Sequence, residues 1–182
     1  MASIAPGPCC AIGVKHDGET KGRIKTIGNG IKYMQAIFTY YSVRNMANSD
    51  LVEAYVSYPT DSSTRRAILL LSDVIGHQFI NSQLIADQLA ANGFFVVMPD
   101  IFHGDPIKLN RPADFNFMAW LKGPPGHLPD RVDPVVSSVL GEMRETLGCQ
   151  RIGVVGYCFG VCYTHLIEVP VGSILAAIYM II

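Results

Sequence analysis

RIGVVGYCFG, residues 151–160, is an apolar, β-branched run that ends in a Gly-x-Cys-x-Gly pattern. A run of this composition predicts a buried strand up to Gly156, and the residues from Phe159 onward are compatible with a helix. This order of strand, tight turn and helix is typical of a nucleophile elbow, with Cys158 where Ser usually stands. Gly156 and Gly160 fit such a turn, because a side chain at either position would collide with a neighbouring strand or helix.

The position of Cys158 favours a reactive thiol. At the N-terminus of a helix, the helix dipole and the free backbone N–H groups stabilise a thiolate. The backbone N–H of Phe159 would then be one donor to an oxyanion formed when the thiolate attacks a carbonyl. The alternative is that Cys158 is a small buried hydrophobic residue at a strand–helix junction, since free cysteines are often buried.

A second apolar run supplies the other half of the expected site. LLLSDVIGH, residues 69–77, reads as the end of a buried strand and the loop that follows it. An oxyanion hole beside a nucleophile elbow takes its second N–H from such a loop, and we nominate Val74 as the donor. Asp73 would lie beside it, at the carboxyl edge of the sheet where ligands bind.

Hydrophobic periodicity predicts alternating strands and helices over most of the chain. Further strands are predicted over residues 51–58, 67–73, 94–100 and 173–182. Helices are predicted from Asn81 to Asn92 with Gly93 as the C-cap, from Pro112 through Leu121, and from Asp130 to Leu147 before Gly148. The first of these helices is expected to bury Leu84, Ile85, Leu89 and Ala90. Together these elements predict an α/β fold, a mostly parallel sheet with helices on both faces.

The composition limits the classes of protein to which the chain can belong. The chain has 182 residues, 49% of them hydrophobic, and a formal net charge of -1. This balance predicts one folded domain over residues 1–182 and argues against disorder and against nucleic-acid binding. The first residues lack a basic, apolar signal pattern, which favours a cytoplasmic location. The longest apolar run, residues 171–182, is too short for the ~20 residues of a membrane helix.

The cysteines and histidines do not predict a metal centre. Five cysteines without CxxC spacing argue against a disulfide scaffold or a structural zinc site, and we expect no cofactor. Cys158, Cys162 and His165 have helical spacing, but no second ligand cluster accompanies them. His77 and His103 follow two predicted strands at the carboxyl edge, where either could contact a substrate or simply be hydrogen-bonded.

Charged residues after the predicted strand 94–100 also have two readings. Asp100 is expected to fix its loop through backbone hydrogen bonds, and Asp105 with the following proline is a turn signal. Lys108 and Arg111 would suit an anionic substrate group, although solvation at the surface is the more frequent role of such a pair.

Three segments resemble the dienelactone hydrolases, a branch of the α/β-hydrolases with a cysteine nucleophile. They are LLLSDVIGH, the block NSQLIADQLAANGFFVVMPDIFHGDP, and RIGVVGYCFG, which together span roughly residues 51–160. The middle block, with CCAIGVKHDGETKG near the start, is most similar to the fungal members. The resemblance implies an α/β-hydrolase-type sheet and a small ester or lactone as substrate.

The resemblance also implies residue roles. Cys158 corresponds to the nucleophile, and Asp73 to the acidic residue that holds the thiol until substrate displaces it, a position where the best-known members have Glu. The family completes its triad with an Asp and then a His in later loops. We expect this chain to stop before those loops, with the sheet incomplete at its C-terminal side. The 182 residues are therefore predicted to have almost no turnover.

Two other features leave an alternative open. Residues 33–50 lack a clean hydrophobic period of either a strand or a helix, and the sequence from Val161 onward departs from the family. Both segments therefore raise the question of mistranslation.

The rival interpretation of the function is a non-catalytic fragment or binding module that keeps the elbow only as architecture. Such a sheet would self-associate through an exposed apolar edge.

Overall fold

The computed structural model describes residues 13–28, 51–166 and 177–180. The described strands are β1 Arg23–Ile27, β2 Val52–Ser57, β3 Arg66–Leu71, β4 Phe95–Pro99, β5 Arg151–Tyr157 and β6 Ala177–Met180. They form one sheet in the order β1-β2-β4-β3-β5-β6. The segment 33–50, for which the sequence gives no clear period, lies outside the described residues, as do 173–176 and 181–182 of the predicted last strand.

The sheet is parallel at its centre and antiparallel on one side. β3 pairs in parallel with β4 and β5, and β5 pairs in parallel with β6. β2 runs antiparallel to both β1 and β4. The predicted mostly parallel sheet is confirmed for β3 to β6, so the loops after β3, β4 and β5 meet at one edge.

Helices cover both faces of the sheet, as predicted. The helices are α1 Ile80–Ala91, α2 Phe117–Lys122 and α3 Pro129–Glu145, and a 3-10 helix spans Cys158–Leu166. α1 packs on the face that carries Ile68, Leu70, Val96 and Met98. α3 packs on the opposite face, where its valines meet Leu69, Val97 and Val154. Two cores, one per face, therefore hold the central strands.

Two helix predictions need correction. α2 begins at Phe117 rather than Pro112, because the Asn116 side chain accepts the Ala119 N–H at 2.9 Å and caps the helix there. The residues before it form a turn in which the Phe115 N–H donates to the Pro112 carbonyl. The stretch from Phe159, predicted as a helix, is a 3-10 helix.

The buried face of α1 also differs from the prediction. Its buried residues are Ser82, Ala86, Asp87 and Ala90, whereas Leu84, Ile85 and Leu89 are only partly buried. Small alanines let the helix approach the sheet closely, and the polar pair Ser82 and Asp87 is buried because each finds hydrogen-bond partners.

Asp87 anchors the segment before β1. Its carboxylate accepts hydrogen bonds from the Ser57 and Tyr55 hydroxyls at 2.6 and 2.9 Å. It also accepts the backbone N–H groups of Lys21 and Gly22 at 2.7 and 3.2 Å. Because four donors surround it, this buried carboxylate fixes where the chain enters the sheet.

Candidate active site

Cys158 occupies a strained turn at the end of β5. Its φ is +51°, in the left-handed region that residues other than glycine rarely adopt. The side chain is half-buried, and Cys158 is the first residue of the 3-10 helix, directly after β5. Ser62, His103 and Asn110 share this region among the described residues. Such strain is often found at functional sites, because the surrounding structure must hold the residue there.

The two flanking glycines lie against backbone that cannot move away. A Cβ on Gly156 would lie 2.6 Å from the Gly160 carbonyl oxygen and 2.7 Å from the Thr164 methyl carbon. A Cβ on Gly160 would clash with the carbonyl oxygen of Leu71 on β3. The turn therefore has no room for a side chain on either side of Cys158.

The loop after β3 is held against this turn. Leu71 and Gly156 are partners in the β3–β5 register, and the Gly160 N–H donates to the Ser72 carbonyl at 3.1 Å. Val74, in the same loop, is buried, and its carbonyl accepts the Ile107 N–H at 2.7 Å. The elbow and this loop therefore share one edge of the sheet.

Asp73 forms a turn within that loop. Its Oδ1 accepts the Ile75 N–H at 3.0 Å, and its carbonyl accepts the Gly76 N–H at 3.1 Å. Burial raises the pKa of the Asp73 carboxyl, while hydrogen bonds from Ile75 and Gly76 oppose that rise. Asp73 is therefore a carboxyl group whose ionised form is disfavoured by its surroundings.

Tyr157 is a neighbour of this carboxyl that the sequence analysis did not single out. Its hydroxyl donates to the Ser82 Oγ of α1 at 2.7 Å. Burial is the main cause that raises the pKa of Tyr157, and the charges of Asp73 and Cys158 add to it. The tyrosine next to the candidate nucleophile therefore stays a neutral phenol that links β5 to α1.

His77 is buried between two carboxylates. It is 3% exposed, and its Nε2 lies 2.9 Å from Glu53 Oε1. Its Nδ1 lies 3.8 Å from Asp100 Oδ1. Hydrogen bonds from Gln78 and His77, in that order, lower the pKa of Glu53. The imidazole therefore ties the loop after β3 to the start of β2.

His103 lies at the same edge with its side chain in solvent. It has a φ of +54°, and its Nε2 lies 3.2 Å from the Arg131 carbonyl oxygen. The structure therefore brings both sequence-selected histidines to the carboxyl edge, one buried and one exposed.

The loop after β4 uses Asp100 as predicted. Its carboxylate accepts the Phe102 N–H at 2.9 Å and the Gly104 N–H at 2.6 Å, which confirms the expected loop-fixing role. Asp105 does form the predicted turn, with its N–H donating to the Phe102 carbonyl at 3.0 Å. Its carboxylate also lies 3.1 Å from Nε2 of His127, a pairing that the sequence analysis missed. No local signal could have found it, because the two residues are far apart along the chain.

The cations after β4 and the remaining cysteines differ in exposure. Lys108 is exposed, and the Arg111 guanidinium lies 5.2 Å from the centre of the Phe115 ring. Cys162 is exposed, whereas burial raises the pKa of the Cys149 thiol to about 11. Cys158 and Cys162 thus differ from Cys149 in access to reagents.

Within residues 13–28, 51–166 and 177–180, no three His, Cys, Asp or Glu side chains are arranged to hold a metal ion. The side chain of His165 lies outside the described residues, and so does the predicted pattern of Cys158, Cys162 and His165 as a set. None of the described helices is long and apolar enough to cross a membrane.

Known proteins resemble this chain in sequence and in fold. It is 44% identical over 178 residues to the hydrolase pyvD of Aspergillus violaceofuscus, covering 96% of this chain and 62% of that protein. It is 42% identical over 174 residues to the hydrolase tropI of Talaromyces stipitatus, covering 92% and 60%. The chain thus spans about three fifths of the length of these relatives.

A solved structure shares the fold. A dienelactone hydrolase-like promiscuous phosphotriesterase from metagenomic libraries superposes with a TM-score of 0.54 at 14% identity, covering 82% of this chain and 54% of that one. The model of the dienelactone hydrolase family matches residues 52–179, which include both β3 with its loop and the elbow. The chain therefore belongs to the dienelactone hydrolase family.

Proposed function

We propose that this protein hydrolyses a small ester or lactone with the Cys158 thiolate as the nucleophile. The observation that carries the proposal is the φ of +51° at Cys158, in a turn whose two glycines have no room for a side chain. Strain of this kind persists only where neighbouring structure enforces it, and Cys158 follows β5 at the carboxyl edge, where open α/β sheets generally bind ligands.

The reaction has two stages, acylation of Cys158 and hydrolysis of the resulting thioester. The thiolate attacks the acyl carbon, a C–S bond forms, and the carbonyl electron pair moves onto oxygen. The N–H groups of Phe159 and Val74 donate to this oxyanion. When it collapses, the C–O bond to the leaving group breaks and a thioester remains on Cys158. The departing alkoxide takes up a proton from solvent. Water then adds to the thioester carbonyl and the C–S bond breaks, which releases the carboxylic acid and returns the Cys158 thiol.

Asp73 is proposed as the acid that faces the resting thiol, in line with the family resemblance. Its raised pKa fits that position, because a carboxyl that resists ionisation can lie near a thiolate with less repulsion.

We assign no described histidine to water activation. Ring nitrogens of His77 face Glu53 and Asp100, and Nε2 of His127 faces Asp105. Exposed His103 is the better placed of the two sequence candidates to contact substrate, whereas buried His77 would position the loop that carries Val74.

The first experiment compares two probes on the 182-residue chain. An activated ester such as p-nitrophenyl acetate needs oxyanion stabilisation, and its phenolate leaves without a proton. Iodoacetamide alkylates a thiolate without forming an oxyanion. Intact mass and peptide mapping between pH 5 and 9 give the rate at each cysteine. The exposed Cys162 is the internal reference, and Cys158→Ser is the matched variant.

We expect the ester to favour Cys158 over Cys162 by ~10²-fold or more, a far larger preference than iodoacetamide shows. Labelling of Cys158 at pH values well below ~8.5, the pKa of a free thiol, would show a stabilised thiolate. Equal preference with both probes would contradict the proposal.

The latter outcome would favour the alternative, a binding module in which the elbow is only architecture. That alternative also predicts self-association through a sheet edge, and among the described strands the edges are β1 and β6. Sedimentation that depends on concentration, together with an unreactive Cys158, would support it.

A further inference from the structure

His127 is a buried histidine paired with a carboxylate beside the elbow. It is 1% exposed, and its Nε2 lies 3.1 Å from Asp105 Oδ2 in the loop after β4. An ionised carboxylate only accepts hydrogen bonds, so Nε2 carries the hydrogen and Nδ1 is left as an acceptor. Among the described residues Nδ1 has no hydrogen-bond partner, which leaves the Asp105 pairing as the contact that orients the ring.

The backbone of His127 joins two further elements. Its N–H donates to the Leu121 carbonyl at 2.9 Å, at the end of α2. Its carbonyl accepts the Tyr163 hydroxyl of the 3-10 helix at 3.3 Å. One residue therefore connects α2, the loop after β4 and the helix that follows Cys158.

The ring of His127 completes an aromatic cluster, defined here as Phe102, Trp120, His127, Phe159 and Tyr163. The centroid of the imidazole lies 4.2 Å from that of the Trp120 ring. It lies 5.6 Å from that of the Phe102 ring, in an edge-on arrangement. The ring centroid of Phe159 lies 5.1 Å from that of Phe102 and 5.2 Å from that of Tyr163. The Trp120 indole N–H also donates to the Asp105 carbonyl at 2.9 Å. Phe159, the residue after the candidate nucleophile, is therefore packed into the same aromatic cluster as His127.

We propose that His127, oriented by Asp105, is a positioning residue that fixes Phe159 and with it the backbone N–H that stabilises the oxyanion. This inference rests on the proposed function. An oxyanion donor works only within a narrow distance range, so a small shift of Phe159 weakens catalysis without unfolding the protein. His127 acts through Phe159 and does not contact the reacting atoms.

The test uses matched substitutions at His127 in the full chain. Glutamine places an amide N–H near the position of Nε2, whereas asparagine is one methylene shorter and does not reach Asp105. We expect His127→Asn to slow acylation of Cys158 by p-nitrophenyl acetate by ~10–100-fold. His127→Gln should recover much of that loss. Alkylation by iodoacetamide should change little in either variant, and His16→Gln, an exposed histidine before β1, is the control.

A second pair of variants covers the case in which substitution of the buried ring unfolds the protein. The Asp105 side chain is 58% exposed, so the fold should tolerate its replacement. Asp105→Asn keeps an acceptor for Nε2 and Asp105→Leu removes it, so only the latter should slow ester acylation.

Trp120 gives a readout that does not depend on activity. It is the one tryptophan in the sequence, and its ring packs against the His127 ring with 4.2 Å between their centroids. Its emission should change in His127→Asn and remain unchanged in His16→Gln. Unchanged emission in His127→Asn would overturn the proposed packing.

The outcomes separate the two proposals. If the unsubstituted chain acylates Cys158 selectively and His127→Asn does not slow it, only the positioning role fails. An equal fall in ester acylation and alkylation would also overturn it, since that result indicates general damage. If the unsubstituted chain shows no selective acylation, the proposed function fails and this inference fails with it.

Discussion

The two halves of the candidate site are held by different kinds of contact. Around Cys158, backbone sets the geometry: Gly160 donates to the Ser72 carbonyl and lies against Leu71. On the other side, side chains set the geometry, through the pair of Asp105 and His127 and the packing of the His127 ring against Trp120. We call Gly156, Gly160 and the loop after β3 the backbone half, and the aromatic cluster with Asp105 the aromatic half. Substitutions in the backbone half should be poorly tolerated, because backbone atoms leave no room beside its glycines. Side chains of the aromatic half can be replaced by ones of graded size and polarity. Substitutions should therefore have graded effects that distinguish the halves.

Gly160→Ala should have the largest effect. The new methyl group would clash with the Leu71 carbonyl, which β3 holds in the centre of the sheet. We expect a loss of about 3 kcal/mol or more in the free energy of unfolding, because backbone cannot relax as a side chain can. Urea denaturation followed by circular dichroism measures it.

Gly104→Ala is the matched control for that substitution. Gly104 has a φ of +81° but no atom within 4 Å of the added Cβ. It should lose only about 1 kcal/mol, the typical strain of a non-glycine residue in the left-handed region. Equal losses in the two variants would mean that Gly160 is not confined by Leu71.

Asp73→Asn should have a smaller effect, of opposite sign. A carboxyl whose folded pKa is raised destabilises the folded state as pH rises above its unfolded value of 3.8. Asparagine removes that charge and keeps an acceptor for the Ile75 N–H. We expect a gain of about 0.5–2 kcal/mol at pH 7, measured by urea denaturation. At pH 3 the gain should vanish, and a gain that is independent of pH would contradict the assignment.

The pH dependence of His127 should be the smallest effect. Burial lowers its pKa below 6.5, while Asp105 partly opposes that shift and the charges of His103 and Arg131 reinforce it. As pH falls below 6.5, the unfolded chain takes up the proton first, so the folded state loses stability until the folded pKa is passed. We expect a contribution under about 1 kcal/mol.

Thermal unfolding at pH 5 and 7.5 measures this contribution. The chain should have a larger fall in Tm between these values than His127→Gln, which cannot titrate. If both fall equally, His127 does not carry the pH dependence.

The sequence predicts the backbone half well because its information is local. Apolar runs of strand length locate β3, β4 and β5, and these positions are confirmed. Gly156 and Gly160 are readable because a tight turn needs small residues at fixed spacing. The place of Asp73 and Val74 in the loop after β3 follows once parallel strands are assumed, since the loops after such strands meet at one edge. Their roles at the site stay predictions.

The aromatic half was not predictable for the opposite reason. The Asp105 and His127 pair depends on how α2 folds back on the loop after β4, and nothing in the local sequence encodes that contact. The buried face of α1 was predicted only in part. Ala90 is buried and Ile85 and Leu89 pack partly buried against the core, but the burial of Asp87 was not predicted. Hydrophobic periodicity gives no signal for a buried Asp87, whereas the Tyr55 and Ser57 hydroxyls on β2 make its burial favourable.

The anchoring of Asp87 bears on how much of the chain is needed for an independently folding unit. A shortened form that begins at Arg23 would keep every described strand and helix. It would nevertheless remove the Lys21 and Gly22 N–H groups and leave a buried carboxylate with half of its donors. The effective N-terminal boundary of the fold therefore precedes β1, the first element of regular secondary structure among the described residues, and a tag or fusion partner should be joined upstream of Lys21.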